Sequence, residues 1–147
     1  MSSGDISEIY ANLFLGSAKA SKSLNLLTTH GITHIVNIAG RQHFPDQFVY
    51  KRIHFEDVEE FDEVEKFREI FSWLDAVLAS TKSKVLVHCM GGISRSASVV
   101  CGYLVWSKRF NLDESVAFVK SRRPQIRPRQ LEAVRQIEVE VQNRENK

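Results

Sequence analysis

The chain has 147 residues, 43% hydrophobic and 26% charged, which predicts one domain able to fold without a disulfide or metal staple. Twenty Lys and Arg against 18 Asp and Glu leave a net charge of +2, too balanced for the electrostatic footprint of a nucleic-acid binder. Two cysteines, Cys89 and Cys101, are too few for a secreted disulfide scaffold, and no apolar run approaches the ~20 residues that span a bilayer.

Met1 to Asp5 is small and polar, without the apolar core of a signal peptide. Position 2 is Ser2, and the chain ends Glu145-Asn146-Lys147 without a prenylation box. The expected setting is reducing, in the cytoplasm or the nucleus.

Ile6 to Leu15 reads as a short strand pair, followed by a polar helical stretch from about Ser17 to His30, stopped at Gly31. Thr33 to Ile38 alternates and is β-branched, as a strand is. Gly40, Pro45 and Asp46 mark a loop. Tyr50 to Phe55 reads as another strand, and Glu56 to Phe61 as an acidic loop. Asp62 and Glu65 have the spacing of a capping box. Behind them Val64, Phe67, Ile70, Phe71, Leu74, Val77 and Leu78 recur at helical spacing, predicting an amphipathic helix to about Ser80.

Val85-Leu86-Val87 is wholly apolar, as in a central strand buried on both faces. Ser96 to Trp106 is apolar nearly all round and predicts a buried helix. Asn111 and Asp113 can cap a helix to about Arg122, which Pro124 ends. Pro128 can open a last helix whose Leu131, Val134, Ile137 and Val141 share a face. The expected fold is α/β: one domain over residues 1–147, core about 6–142, with a mostly parallel central sheet flanked by helices.

The chemistry is concentrated between the buried strand and the buried helix, in His88-Cys89-Met90-Gly91-Gly92-Ile93-Ser94-Arg95-Ser96. A loop there can aim successive N–H groups inward, and the helix N-terminus adds positive potential. Gly91 and Gly92 permit backbone conformations a side chain forbids. The expected product is a cradle for a tetrahedral dianion. Cys89 is placed to lose its proton easily, since nearby amides and a cation favour the thiolate. Arg95 can hold two phosphate oxygens at once through its planar guanidinium. Ser94 and Ser96 flank it, and either hydroxyl can donate to the sulfur; Ser96 is the one assigned to help the thiolate depart. His88 reads as a hydrogen-bonded residue that orients the loop. Cys101, within the apolar helix, reads as buried filler.

The pattern His-Cys-x5-Arg-Ser resembles that of the cysteine-dependent protein phosphatases, in particular the small dual-specificity group. Asn12 to Ser17, Gly31 to Asn37 and Arg122 to Pro128 resemble further stretches of that family, in order, so the likeness runs from about residue 9 to residue 140. It implies removal of phosphate from phosphotyrosine and phosphoserine or phosphothreonine in proteins, through a cysteinyl-phosphate intermediate. Cys89 would be the nucleophile, Met90 to Arg95 the phosphate-binding loop, and the partner a phosphorylated protein. No metal and no other cofactor is implied, since Arg and backbone amides supply the positive potential.

The family also uses an aspartic acid on a loop before the cysteine as general acid. By spacing alone, Glu56, Asp57, Glu59, Glu60, Asp62 and Glu63 each read as part of a solvated acidic loop. The resemblance of Ile53 to Val58 assigns the role to Asp57, with Glu56 or Glu59 behind it. Where the family has a loop-supporting Asn after the second proline, this chain has Arg129, which reads as either a supporting or a substrate-facing residue. Lys120, Arg122, Arg123, Arg127 and Arg129 form a basic cluster that is either a solvated face or a contact for an acidic group near the pocket. The alternatives are a phosphatase of phosphoinositides or RNA 5′-phosphates, and a non-catalytic phosphoprotein binder. No residue between Cys89 and Arg95 is charged, which weighs against a lipid headgroup, and intact Cys89, Arg95 and Asp57 weigh against a non-catalytic binder.

Overall fold

A computed structural model describes residues 5–55 and 64–145 of the chain. Five strands form one sheet: β1 (Ile6–Tyr10), β2 (Leu13–Gly16), β3 (His34–Asn37), β4 (Val49–Arg52) and β5 (Val85–His88). The spatial order is β1-β2-β5-β3-β4. β1 is antiparallel to β2, and the other three pairings are parallel. β5 is therefore central, which is why Val85, Leu86 and Val87 can all be apolar: each is fully buried.

The helices are α1 (Ala18–Ser21), α2 (Leu24–Thr29), α3 (Val64–Leu78), α4 (Arg95–Lys108), α5 (Leu112–Arg122) and α6 (Leu131–Glu145). Alternation along the strands sorts the two layers. Leu13, Leu15, Val36, Val85 and Val87 face the larger layer, with Phe67 and Phe71 of α3, Val100 and Leu104 of α4, and Val134 and Ile137 of α6. Phe14, Ile35 and Leu86 face the other way, against Ala20 of α1 and Leu27 of α2. Burial of each such side chain contributes about 1.5–3 kcal/mol. α4 is buried from Ser96 to Val105 without a break, as a helix wedged between α3, α5 and α6 must be.

Three boundaries differ from the sequence expectation. The stretch from Ser17 to His30 is two short helices, because Ser17 and Ser23 each cap one: Ser17 Oγ accepts from the Ala20 amide and Ser23 Oγ from the Leu26 amide. The strand expected over Tyr50 to Phe55 is β4 at Val49–Arg52, the length over which it pairs with β3. The last helix begins at Leu131, beyond Pro128, because Arg127 and Gln130 on either side of it are bonded elsewhere, the Arg127 amide to Ile93 O and Gln130 to Ser94 and Ser98. Asn111 makes the capping box of α5 with Glu114. Asp62, the expected cap of α3, lies outside the described residues.

β5 delivers Cys89 to the carboxyl edge of the parallel strands, where Gly16 and Asn37 flank His88. Open α/β sheets place their ligands at that edge.

Candidate active site

The loop at 89–94 joins the end of β5 to the start of α4. Its conformation can be read from where its carbonyls go. Met90 O accepts from the Ala18 amide at 2.7 Å, and Ile93 O from the Arg127 amide at 2.7 Å. Gly91 O and Gly92 O accept from Arg123, through Nη2 at 3.4 Å and Nε at 2.9 Å. Ser94 O accepts from the Ser98 amide at 2.9 Å, inside α4. Five successive carbonyls are thus held by groups behind the loop. In a planar trans peptide the N–H points opposite to the C=O, so the amides of residues 91–95 are turned toward the concave side. That row of N–H groups, together with the N-terminus of α4, is an anion cradle.

Gly92 makes the turn possible. Its φ is +69°, and a Cβ there would lie 2.6 Å from the Gly16 carbonyl and 2.8 Å from Arg123 Nη2. Any side chain at this position would push the loop off both supports.

Cys89 lies at the floor, 2% exposed. Its Sγ is 3.1 Å from Ser96 Oγ. Burial opposes ionisation of the thiol. Hydrogen bonds from the Ser96 hydroxyl and the Ser96 and Gly92 amides, with the charge of Arg95, outweigh it, so the thiol is held below its ordinary value. Of the two flanking serines it is Ser96 that reaches the sulfur. Ser94 turns away, its Oγ 3.4 Å from Gln130 Oε1.

Arg95 Nη1 donates to Phe55 O at 3.2 Å, which ties Phe55, the residue just before the acidic run in sequence, to this site. Asp57, Glu56 and Glu59 lie outside the described residues. His88 is buried, with Nδ1 donating to Cys89 O at 3.1 Å. Burial holds its ring below the ordinary imidazole value, more strongly than that bond raises it, which favours the neutral form.

The basic cluster divides. Arg122 lies over the Phe118 ring. Arg123 is buried behind the loop. Arg127 and Arg129 are exposed and line a cavity of about 310 Å³ with Cys89, Met90, Gly91, Ile93, Ser94 and Arg95. Arg129 is therefore at the pocket wall, and the buried support is Gln130: its Oε1 accepts from Ser98 Oγ at 2.9 Å, and its amide donates to the same hydroxyl at 3.3 Å. The sequence reading missed Gln130 and the position of Arg123. The one signal was that both lie in or beside the stretch from Arg122 to Pro128. Among the described residues no group of three or more His, Cys, Asp and Glu comes together, and no helix is long and apolar enough to cross a membrane.

Residues 13–140 match the family described as dual specificity phosphatase, catalytic domain. The chain belongs to this family. Dual specificity protein phosphatase 2 of Mus musculus is 42% identical over 123 residues, 82% of this chain and 38% of that protein. Dual specificity protein phosphatase 1-A of Xenopus laevis is 40% identical over the same share of this chain and 33% of its own length. This dual-specificity phosphatase domain thus spans about a third of the curated relatives it matches. A mouse putative dual specificity phosphatase solved with zinc tungstate has a TM-score of 0.88 at 26% identity, covering 97% of this chain and 92% of that one. The family resemblance of the loop, the opening strand and the segment before the last helix therefore extends to the whole fold.

Proposed function

We propose that the chain hydrolyses phosphate monoesters of tyrosine and of serine or threonine in proteins, through a cysteinyl-phosphate intermediate. The observation that carries this reading is the set of five outward-held carbonyls, which leaves a row of amides and Arg95 around a thiol held below its ordinary value. The names of the relatives, dual specificity protein phosphatases, support a protein substrate. The tungstate in the similar mouse structure is a tetrahedral oxyanion of the shape this loop suits.

In the first step the Cys89 thiolate attacks phosphorus. An S–P bond forms, the P–O bond to the side chain breaks, and Asp57 gives its proton to the departing oxygen. Arg95 and the loop amides bind the three non-bridging oxygens and stabilise charge as it develops on them. In the second step the Asp57 carboxylate takes a proton from water as that oxygen attacks phosphorus. The S–P bond breaks, inorganic phosphate leaves, and the Ser96 hydroxyl stabilises the returning thiolate. The chemistry needs Cys89 reduced, since only the thiolate is the nucleophile, and that need supports the cytoplasm or nucleus as the setting.

The test is hydrolysis of phosphotyrosine and phosphothreonine peptides with EDTA present, by the wild type, Cys89→Ser and Asp57→Asn. Turnover abolished in Cys89→Ser and slowed about 10²–10⁴-fold in Asp57→Asn is the expected outcome. A wild type inert on both peptides would overturn the reading in favour of a non-protein phosphate or of binding alone.

A further inference from the structure

Arg123 is 2% exposed, yet it carries a guanidinium into the interior. Taking such a charge out of water is costly unless its donors are satisfied, and here they are used on the loop and on β1. Nε donates to Gly92 O at 2.9 Å, Nη2 to Gly91 O at 3.4 Å, and Nη1 to Ser7 Oγ of β1 at 3.1 Å. The two carbonyls belong to the peptide units whose N–H groups are those of Gly92 and Ile93. The Gly92 amide is one of the donors to Cys89 Sγ.

We propose that Arg123 is a positioning residue for the reaction: from behind the loop it aims and polarises the Gly92 and Ile93 amides toward the Cys89 sulfur and the substrate phosphate. The proposal rests on the reading of Cys89 as the nucleophile. A cation on a carbonyl oxygen withdraws electron density through the peptide, so the N–H at its other end becomes a stronger donor. One guanidinium does this for two consecutive peptides, which its fork of donors permits and a lysine ammonium does not. The contact between Gly92 and Arg123 Nη2 leaves no room for a Cβ, so glycine and arginine here fit as a pair. Electrostatics act in the same direction: the negative charges of Asp5 and Cys89 favour the Arg123 cation against the burial that disfavours it, and the favour is mutual. The remaining arm, on Ser7, anchors the guanidinium to the edge strand, so the loop is braced against β1 as well as α5.

The experiment follows the rate of Cys89 alkylation by iodoacetamide against pH, with kcat and KM on a phosphotyrosine peptide and a thermal melt, for wild type, Arg123→Lys and Arg123→Met. Expected for Arg123→Met is an alkylation midpoint raised by about one pH unit, a tenfold loss of thiolate at lower pH. Its kcat should fall at least about tenfold at neutral pH, with KM changed much less. Arg123→Lys should lie between, since it keeps the charge and loses one of the two carbonyls. A folded Arg123→Met with an unaltered alkylation profile and kcat, whatever its melting temperature, would overturn the proposal. If Arg123→Met does not fold, an unaltered profile and kcat in Arg123→Lys does so. An inert wild type would instead overturn the catalytic reading itself.

Discussion

Ser98 Oγ donates to Gln130 Oε1 across 2.9 Å, joining the first turn of α4 to the residue just before α6. Gln130 is fully buried, and its carbonyl oxygen also faces Ser94 Oγ. Ser94 and Ser98 lie on either side of Arg95 and Ser96, so this amide fixes the start of the helix that carries both. Gln130→Leu keeps about the same volume and removes the acceptor. Ser98 Oγ keeps the Ser94 carbonyl, 2.9 Å away, as an acceptor, so the cost is that of one net hydrogen bond, about 0.5–1.5 kcal/mol, read as a lowered urea midpoint. Because Arg95 depends on the same turn, kcat should fall by roughly tenfold. Urea melts and steady-state kinetics check both. A stable, fully active Gln130→Leu would show that the turn is held elsewhere.

The fold is legible in the sequence wherever burial imposes a period. Phe14 between Leu13 and Leu15, and Leu86 between Val85 and Val87, sort to opposite faces as alternation requires. The loop is legible because Cys89, Gly92 and Arg95 are close in sequence and their chemistry is mutual. Arg123 and Gln130 are less so. Their partners, Gly92 and Ser98, are 31 and 32 residues away, and no local pattern tells a buried guanidinium from a solvated one. Arg123 accordingly reads as one of five basic residues in a row of charge, although only the fold separates it from Arg122 and Arg127. Pro128 misplaces the last helix for the same reason: the Arg127 amide is held by Ile93 O and Gln130 by Ser94 and Ser98, which delays helix entry to Leu131.

Ser96→Ala removes the hydroxyl 3.1 Å from the Cys89 sulfur. A hydrogen bond to a charged group contributes about 1.5–3 kcal/mol, so the thiolate becomes a poorer leaving group and the second step slows by about 10–100-fold. Attack by the thiolate is less affected, since a more basic sulfur is also more nucleophilic. The phosphocysteine should therefore accumulate. Stopped-flow hydrolysis of p-nitrophenyl phosphate should show a burst of nitrophenol equal to the enzyme, followed by a slow steady state. A uniform slowing without a burst would place the effect of Ser96 on the first step.

Arg127 and Arg129 share the cavity wall with Cys89 and Arg95. Arg95 and the loop amides already answer one phosphate, so two further guanidinium groups favour a peptide with acidic residues beside the phosphorylated one. In Arg129→Glu the KM for such a peptide should rise by about fivefold, the effect of roughly 1 kcal/mol from an exposed charge pair. Its kcat should stay within about twofold, because uniform binding is what is lost. A peptide with neutral flanks should show little change. The preference should weaken as salt rises from about 0.05 to 0.5 M, where the screening length shrinks to a few ångströms. Equal KM changes for the two peptides would remove flanking charge from the account.

Stability should pass through a maximum in the weakly alkaline range. Cys89, with its thiol held below the ordinary 9.0, releases its proton in the folded chain before the unfolded one does. Stability from this group therefore grows as pH rises toward about 9 and is lost as pH falls through its folded value. Cys101 acts in the opposite sense. Burial within α4 pushes its thiol up to about 12, so between about 9 and 12 the folded chain keeps a proton the unfolded chain has given up. Tyr103 behaves likewise: burial and the Asp75 carboxylate, which accepts its hydroxyl at 2.6 Å, raise it above its ordinary 10.0. Each group then removes about 1.4 kcal/mol of stability per pH unit over its own window. Urea unfolding at pH 7, 9 and 11 should show the rise and the fall. Cys89→Ser should flatten the lower limb. Cys101→Ala and Tyr103→Phe together should flatten the upper one, with Asp75 still accepting from Ser107 at 2.8 Å. An upper limb of the same slope in the double variant would assign the alkaline loss to other groups.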